Sequence, residues 1–564
     1  MKLELSSSRT VLFPEERREP GVDRALGRLV SISGAEALIA CEMAAGGGGE
    51  HWSIGHLISI DHGRSRVVGI VCELAAADRL WNERDANVAY VKVELAGEVV
   101  DDDDGAPSFF RGVRSYPALG AIAHRICADD LKAVYSFHGV AGVTVGRLAQ
   151  NEAIPAVVSV EELVSRHFAV IGSTGVGKTT AVAMLLKKCL ASRPKLRALI
   201  IDPHNEYARH FPTDSVVFHC DNLELPYWMF KFEEIADVVY SGRKPNSDEM
   251  DALFDVIKTA KAQFVASSAS LISNGSLRRS ASTDNGWISA DTPVPYRVAD
   301  MVAIIDEWLG KLDQRYPRSD LRALKHRLET LSRDPRFRFM FGRVMVEDNM
   351  EKVLSRIFRL PKAGAPVAIV QLAGLPNEVV DSLVSVLARM AFEIALWSEG
   401  AYQIALVCEE AHRYIPTDRS QAFGPTRQAI GRIAKEGRKY GVSLGVVTQR
   451  PAELDATVLS QCSTMFAMRL ANELDKAIVR SAVGASSAST IAFLSSIADR
   501  EAIAFGEAIA TPMRMKFDDY RREAAYAPAL DAEAEMEPRI AHLDLRKIVC
   551  RLRGEYVGDA YDQR

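Results

Sequence analysis

The run FAVIGSTGVGKTT is where residue types and spacing in this chain first specify a chemistry. An apolar strand, Phe168 to Ile171, leads into Gly172, Ser173, Thr174, Gly175, Val176, Gly177, Lys178 and Thr179, and then through Thr180 into the helical pattern AVAMLLKKCLA. This is G-x-x-x-x-G-K-[ST] in the strand, loop, helix order that a phosphate-binding loop requires. Glycines are needed because backbone N–H groups must turn inward around an anion, in conformations that a Cβ disfavours. Lys178 is placed to reach the β- and γ-phosphates, Thr179 to bind Mg²⁺, and the following helix to present its positive end to the phosphates.

A phosphate loop alone does not separate a kinase, a GTPase, a transporter ATPase and a motor. The segment YQIALVCEEAH adds an apolar strand, Ile404 to Cys408, that ends in Glu409 and Glu410 ahead of a helical pattern expected from about Ala411. Glu409 is placed to help hold Mg²⁺ through water, and Glu410 to orient the attacking water. Adjacent acids at a strand end can also serve solubility, but in a chain that carries Lys178 the catalytic reading prevails.

The third piece is GPTRQAIGRIAKEGRKYGVSLGVVTQ. On a helix, Ala429, Ile430, Ile433, Ala434 and Gly437 fall on one half, and Arg427, Arg432, Lys435, Arg438 and Lys439 on the other. Gly441 ends the helix, and the next strand finishes on Thr448 and Gln449, a polar pair placed to sense the γ-phosphate. A basic helix face is usually just solvated. This one feeds a central strand of the site, and an arginine supplied from a neighbouring subunit accelerates phosphoryl transfer by roughly 10³ to 10⁵. Arg438 is the first candidate for that arginine and Arg432 the second.

These residues need a scaffold, and the remaining sequence describes it. FAVIG, LRALIID, SVVFHCD, PVAIVQLAG, YQIALVCEE, VSLGVVTQ and TMFAMRLA are long apolar runs alternating with helical segments, the pattern of a parallel α/β sheet covered on both faces. No comparable strand series lies between Glu233 and Arg359. Helix-periodic stretches there (Val298 to Leu312, Leu321 to Leu331) and a Ser-rich segment, Ala266 to Thr283, predict a mostly helical insertion with one loop. Residues 26 to 100 read as five short alternating strands separated by turns such as Gly46 to Gly49 and Asp101 to Asp104, which suggests a small β-barrel. The expected layout is a barrel over 1–110, a connector over 111–160, an ATPase domain over 161–516 with its insertion at about 233–359, and a C-terminal arm over 517–564.

Composition sets the outer limits. In 564 residues, 48% hydrophobic and 25% charged is an ordinary globular mix, which excludes disorder, collagen and coiled coil for the whole chain. A formal net charge of −5 excludes a uniformly basic coat but not a local basic channel. Between Arg413 and Arg450 the chain holds Arg413, Arg419, Arg427, Arg432, Lys435, Arg438, Lys439 and Arg450 against Asp418 and Glu436. The cysteines, 8 in number, show no C-x-x-C pair and read as small hydrophobes in a reducing compartment. No secretory signal is visible, and Asp381, Arg389 and Glu393 interrupt the longest apolar stretch, Val379 to Trp397, so a soluble cytoplasmic protein without a membrane span is expected.

HFAVIGSTGVGKTT, the second-strand motif IIDPHNEY, LVCEEAHRYIP, and KEGRKYGVSLGVVTQRPAELD followed by LSQC and RLANELD together resemble the HerA-type ATPases, in the HerA–FtsK branch of RecA-like motors. The resemblance runs from about Gly27 to Met515 and takes in an N-terminal barrel and a last hairpin, GEAIATPMRMKF. It implies a homohexameric ring that hydrolyses ATP at subunit interfaces with Mg²⁺ and moves duplex DNA through its pore. It also implies a partner: a NurA-like nuclease, a sirtuin-like enzyme or another effector, in DNA end processing or anti-phage defence. On this likeness Lys178 and Thr179 serve phosphate and Mg²⁺, Glu409 the metal, Glu410 as base, Gln449 as sensor and Arg438 as trans arginine. Asp202, His204 and Glu206 match the family's DPH-x-EY motif beside the phosphate loop, with Asp202 a candidate metal ligand and Glu206 a candidate catalytic group. Asn205 stands where the family favours glycine, and Glu409 where aspartate is commoner. Pore contacts to the DNA backbone are expected from Arg413 to Arg427 and the helix beyond. A different class of function, an ATP-switched ring scaffold that assembles a partner enzyme, would show the same core. The lack of an LSGGQ-like segment disfavours a transporter, and the lack of N-K-x-D disfavours a GTPase.

Overall fold

The structure is a computed structural model that describes residues 25–43, 52–77, 86–101, 106–137, 142–240, 243–272, 288–311, 315–342, 347–360, 364–418, 423–482, 492–519 and 545–554. The turn Gly46 to Gly49, Asp102 to Asp104, most of the Ser-rich segment, Arg419 and most of the C-terminal arm lie outside them. Two compact units are present, Met1–Ser159 with Arg469–Lys516, and Val160–Met468 with Phe517–Arg564. Residues Arg469–Lys516, drawn into the ATPase domain from the sequence, thus fall in the first unit.

The first unit opens with β1 (Ala25–Ser33), β2 (Glu36–Met43), β3 (Leu57–His62), β4 (Ser65–Ala76), β5 (Asn87–Asp101), β6 (Pro107–Arg111) and β7 (Ile122–Arg125). They run in the order β2-β1-β7-β3-β4-β5-β6, and an antiparallel β2–β5 pairing closes six of them into a barrel. Leu29, Ile39, Ile58, Ile60, Val67, Val71, Val91 and Val93 fill its interior, and closure leaves few free strand edges. The sixth barrel strand, β7, comes from the stretch read as a connector. It is 4 residues long with only Ala123 buried, too short to show alternation in sequence. The unit adds α1 (Ala128–Tyr135), β8 (Gly142–Leu148), β9 (Asn151–Ser159), α13 (Glu473–Ala482), β17 (Glu501–Gly506) and β18 (Met513–Phe517). The last two strands form the expected antiparallel hairpin.

The second unit carries the predicted α/β core. After α2 (Val160–Ser165) come β10 (His167–Ile171), α3 (Lys178–Ser192), β11 (Leu196–Asp202), β12 (Ser215–Phe218), β13 (Val367–Gln371), α10 (Asn377–Trp397), β14 (Gln403–Cys408), α11 (Gly424–Tyr440), β15 (Val442–Thr448), α12 (Ala456–Ser460) and β16 (Cys462–Ala467). All seven expected strands form, in the order β12-β13-β11-β14-β15-β10-β16 with every neighbouring pair parallel. Strands β10, β11 and β15 are buried at every position, which is why they read as unbroken apolar runs. A close approach is built in at Gly445, where a Cβ would lie 2.6 Å from the Phe168 ring of neighbouring β10.

Between β12 and β13 the described residues form helices and no strand: α4 (Phe232–Tyr240), α5 (Ser247–Ile272), α6 (Val298–Gly310), α7 (Arg318–Arg333), α8 (Arg338–Phe341) and α9 (Met350–Phe358). This is the expected helical insertion. A buried ion pair pins α4 to α10, with Arg389 Nη2 donating to Glu234 Oε2 at 2.8 Å and the Ser385 hydroxyl donating to Glu234 Oε1 at 2.7 Å. The tail contributes α14 (Leu545–Arg553), whose Leu545, Ile548 and Val549 are buried in this unit. Among the described residues no helix is long and apolar enough to cross a membrane.

Candidate nucleotide site

Strand order decides which loops meet. In this parallel sheet β11, β14, β15 and β10 are consecutive neighbours, so the segments following Asp202, Cys408, Thr448 and Ile171 emerge side by side at one edge. Ligands bind at that carboxyl edge in open α/β sheets.

The loop after β10 has the form the sequence predicts. Gly175 and Gly177 take left-handed backbones, with φ +81 and +103, which side chains strain against. Gly172 serves proximity instead, since a Cβ there would lie 2.8 Å from Met468 Cβ. Val176 is buried and anchors the loop, while Ser173, Gly177, Thr179 and Thr180 are half-buried and Thr174 and Gly175 exposed. Lys178 is buried, and its ammonium donates to the Ser173 carbonyl at 3.1 Å, folded over its own loop. The Thr179 hydroxyl donates to Glu206 Oε2 at 2.6 Å, and the Thr174 hydroxyl donates to Gln449 Oε1. The loop is therefore tied to β11 through Glu206 and to β15 through Gln449.

Asp202 ends β11 fully buried, and its two oxygens accept the backbone N–H groups of Glu206 (3.1 Å) and Tyr207 (3.0 Å). Burial raises this carboxyl above its usual range, against the pull of those hydrogen bonds. Its oxygens shape the turn that presents Glu206 to Thr179. Within the turn Asn205 has φ +58, a left-handed backbone that asparagine tolerates better than most residues. The departure from glycine at this position thus keeps the glycine-like conformation.

Glu409 is buried and accepts a hydrogen bond from the Tyr207 hydroxyl. Burial pushes its carboxyl up to about 7, opposed by the Tyr207 bond and the Lys178 charge. Glu410 adopts φ 51 and ψ 47, a strained backbone for a non-glycine residue and one that recurs at functional sites. Its Oε1 lies 3.9 Å from His204 Nε2 and its Oε2 3.3 Å from His412 Nδ1. Oε2 is buried and has no hydrogen-bond partner among the described residues. Burial lowers the His412 imidazole, and the Glu410 charge pulls it back up. The helix expected from Ala411 is only a 3₁₀ turn, Ala411–Arg413, because Pro416 disfavours helical backbone at Ile415.

Helix α11 forms as expected and ends at Gly441 with φ 86. Its two candidate arginines part company. Arg432 stacks over the Phe392 ring at 4.1 Å, faces Glu436, and lines a cavity of about 380 Å³ with Arg389, Phe254 and Lys231. It is not among the side chains gathered at the phosphate loop. Arg438 is exposed and forms no hydrogen bond or ion pair among the described residues. Sequence reasoning missed Tyr207 and His412 as partners of the two acids. Both stand inside the quoted motifs, but nothing local says which carboxylate each one meets.

Residues 143–391 match the family described as the central domain of helicase HerA. The chain is 26% identical over 447 residues to the DNA double-strand break repair helicase HerA of Pyrococcus furiosus, covering 71% of this chain and 73% of that protein. It is 24% identical over 437 residues to a probable helicase of Methanocaldococcus jannaschii, covering 76% of each. Among solved structures, VirB4 of Thermoanaerobacter pseudethanolicus aligns with a TM-score of 0.47 and 16% identity over 69% of this chain and 99% of that one. Residues 143–391 are therefore similar to the HerA central domain, and the chain is distantly similar to HerA DNA-repair helicases over most of its length.

Proposed function

We propose that the chain is a Mg²⁺-dependent ATPase that assembles as a ring, hexameric by the family likeness, and moves duplex DNA through its centre. The observation that carries the hydrolytic reading is Glu410, whose Oε2 is buried without a hydrogen-bond partner among the described residues, held in a left-handed backbone at the end of β14 beside the phosphate loop's strands. Glu410 is the base that orients and deprotonates the attacking water. The donor set fits Mg²⁺ and a triphosphate: inward-turned glycine backbone, one ammonium, one hydroxyl and one buried carboxylate. Thr179 and Glu409 would hold the metal, and Lys178 would exchange the Ser173 carbonyl for phosphate oxygens. Bound Mg²⁺ supplies charge neutralisation on the β- and γ-phosphate oxygens. Gln449, already bonded to Thr174, is placed to report the γ-phosphate to β15.

Arg438, exposed and unpaired among the described residues, is the arginine offered to the neighbouring subunit's nucleotide. The basic stretch Arg413 to Arg450 supports contact with the DNA backbone, which needs charge rather than base readout. The ring works with a nuclease, a sirtuin-like enzyme or another effector in DNA end processing or phage defence.

Two measurements on purified protein test the reading. Glu410→Gln should bind ATP and barely hydrolyse it, and duplex DNA should stimulate the parent ATPase with a steep loss on adding salt. Normal turnover by Glu410→Gln removes the base assignment. An ATPase indifferent to duplex DNA favours the ATP-switched scaffold instead.

A further inference from the structure

His412 is the side chain at this site that the foregoing scheme leaves without a task. It sits in the 3₁₀ turn Ala411–Arg413, largely buried, directly after the two acids. Its Nδ1 lies 3.3 Å from Glu410 Oε2 and 3.0 Å from Thr448 Oγ1. Thr448 is fully buried at the end of β15, and its hydroxyl oxygen accepts the Arg450 backbone N–H at 3.0 Å. With Nδ1 protonated, the same oxygen also accepts from the ring, and the Nδ1–H lies beside the Glu410 carboxylate. The next residue, Gln449, accepts the Thr174 hydroxyl of the phosphate loop. Strand β15 therefore touches the phosphate loop through one residue and the Glu410 carboxylate through the residue before it and His412.

We propose that His412 is the positioning residue for Glu410: its Nδ1–H, hydrogen-bonded to Thr448 Oγ1 and 3.3 Å from Glu410 Oε2, attracts the carboxylate, sets where the base points and anchors that direction to β15. The inference rests on Glu410 being the base. It goes beyond that assignment by naming what aims the carboxylate and how the strand that contacts the phosphate loop is coupled to it. An isolated carboxylate on a left-handed backbone can rotate about three side-chain bonds, and a misplacement on the order of 1 Å in such a group lowers turnover by about 10²-fold. The ring limits that rotation.

The test is steady-state ATPase kinetics on the full chain, together with binding of a fluorescent ATP analogue in the absence of turnover. His412→Ala should lower kcat by about 10²-fold while KM for ATP and analogue affinity stay within about 3-fold. His412→Asn, whose amide nitrogen falls near the Nδ1 position, should recover most of that loss. Thr448→Val, which deletes the anchor and keeps the shape, should lower kcat in the same direction at unchanged affinity, and it stands as the test if His412→Ala does not fold. In a Glu410→Gln background His412→Ala should add less than about 2-fold, because the group it orients is gone. Parent kcat in folded His412→Ala, parent kcat in Thr448→Val, or an equal loss in both backgrounds overturns the proposal. Normal turnover by Glu410→Gln instead overturns the base assignment itself, so the two failures are distinguishable.

Discussion

Glu409→Gln should make the nucleotide-free protein more stable at mildly alkaline pH and, in the same stroke, disable it. The carboxyl is buried, and desolvation pushes it up to about 7 from an ordinary value of 4.5. With metal chelated, the folded state therefore retains a proton between those values that the unfolded chain has already released. A folded state that binds more protons loses stability as pH rises. For values of 4.5 unfolded and about 7 folded, the penalty is about 1 kcal/mol at pH 5 and about 3 kcal/mol at pH 8, a change of about 2 kcal/mol. Glutamine does not titrate, so the stability difference between variant and parent should move by about that amount in the variant's favour from pH 5 to pH 8. A fixed cost of seating the amide beside the Tyr207 hydroxyl cancels in the comparison.

The assay is equilibrium urea unfolding at both pH values in chelator, followed by tryptophan fluorescence. Trp228 is fully buried in the same unit and reports its loss. A difference that stays flat from pH 5 to pH 8 refutes the reasoning, because a buried carboxylate near neutrality must titrate in that window. Adding Mg²⁺ and ATP should stabilise the parent and have little effect on Glu409→Gln, since a ligand stabilises only a state that binds it.

Two further outcomes follow from the same geometry. Arg389→Met should destabilise the second unit by about 3–5 kcal/mol in urea unfolding, because it leaves Glu234 buried without its cation, and adding Glu234→Gln should recover a large part of that loss. Arg438→Ala and Lys178→Ala proteins, each inactive alone, should regain part of the ATPase activity when mixed and reassembled, whereas mixed rings that stay inactive would place the site within one subunit.

The legible part of the site was the part built from neighbours in sequence. The phosphate loop needs a strand, a tight glycine turn and a helix start within Phe168 to Thr180, and every constraint on it is local, so its residues announce it. The seven core strands were legible for a related reason: burial on both faces turns each into an apolar run. Strand β7 carries no such mark, having 4 residues and one buried side chain, and barrel closure alone recruits it. Motif spacing also left the pairing of functional side chains undetermined. Tyr207 meets Glu409 across 202 residues, Thr174 meets Gln449 across 275, and His412 meets Thr448 across 36. Each of these contacts exists because β11, β14, β15 and β10 are consecutive in the sheet, an order the chain never visits in sequence. Packing also accounts for the parting of the two arginines. Both lie on the exposed half of α11, but Arg432 is captured by Phe392 of α10 while Arg438, six residues nearer β15, forms no hydrogen bond or ion pair among the described residues. Periodicity gives a helix two halves; only the neighbour packed beside it decides which cation on the outer half is captured.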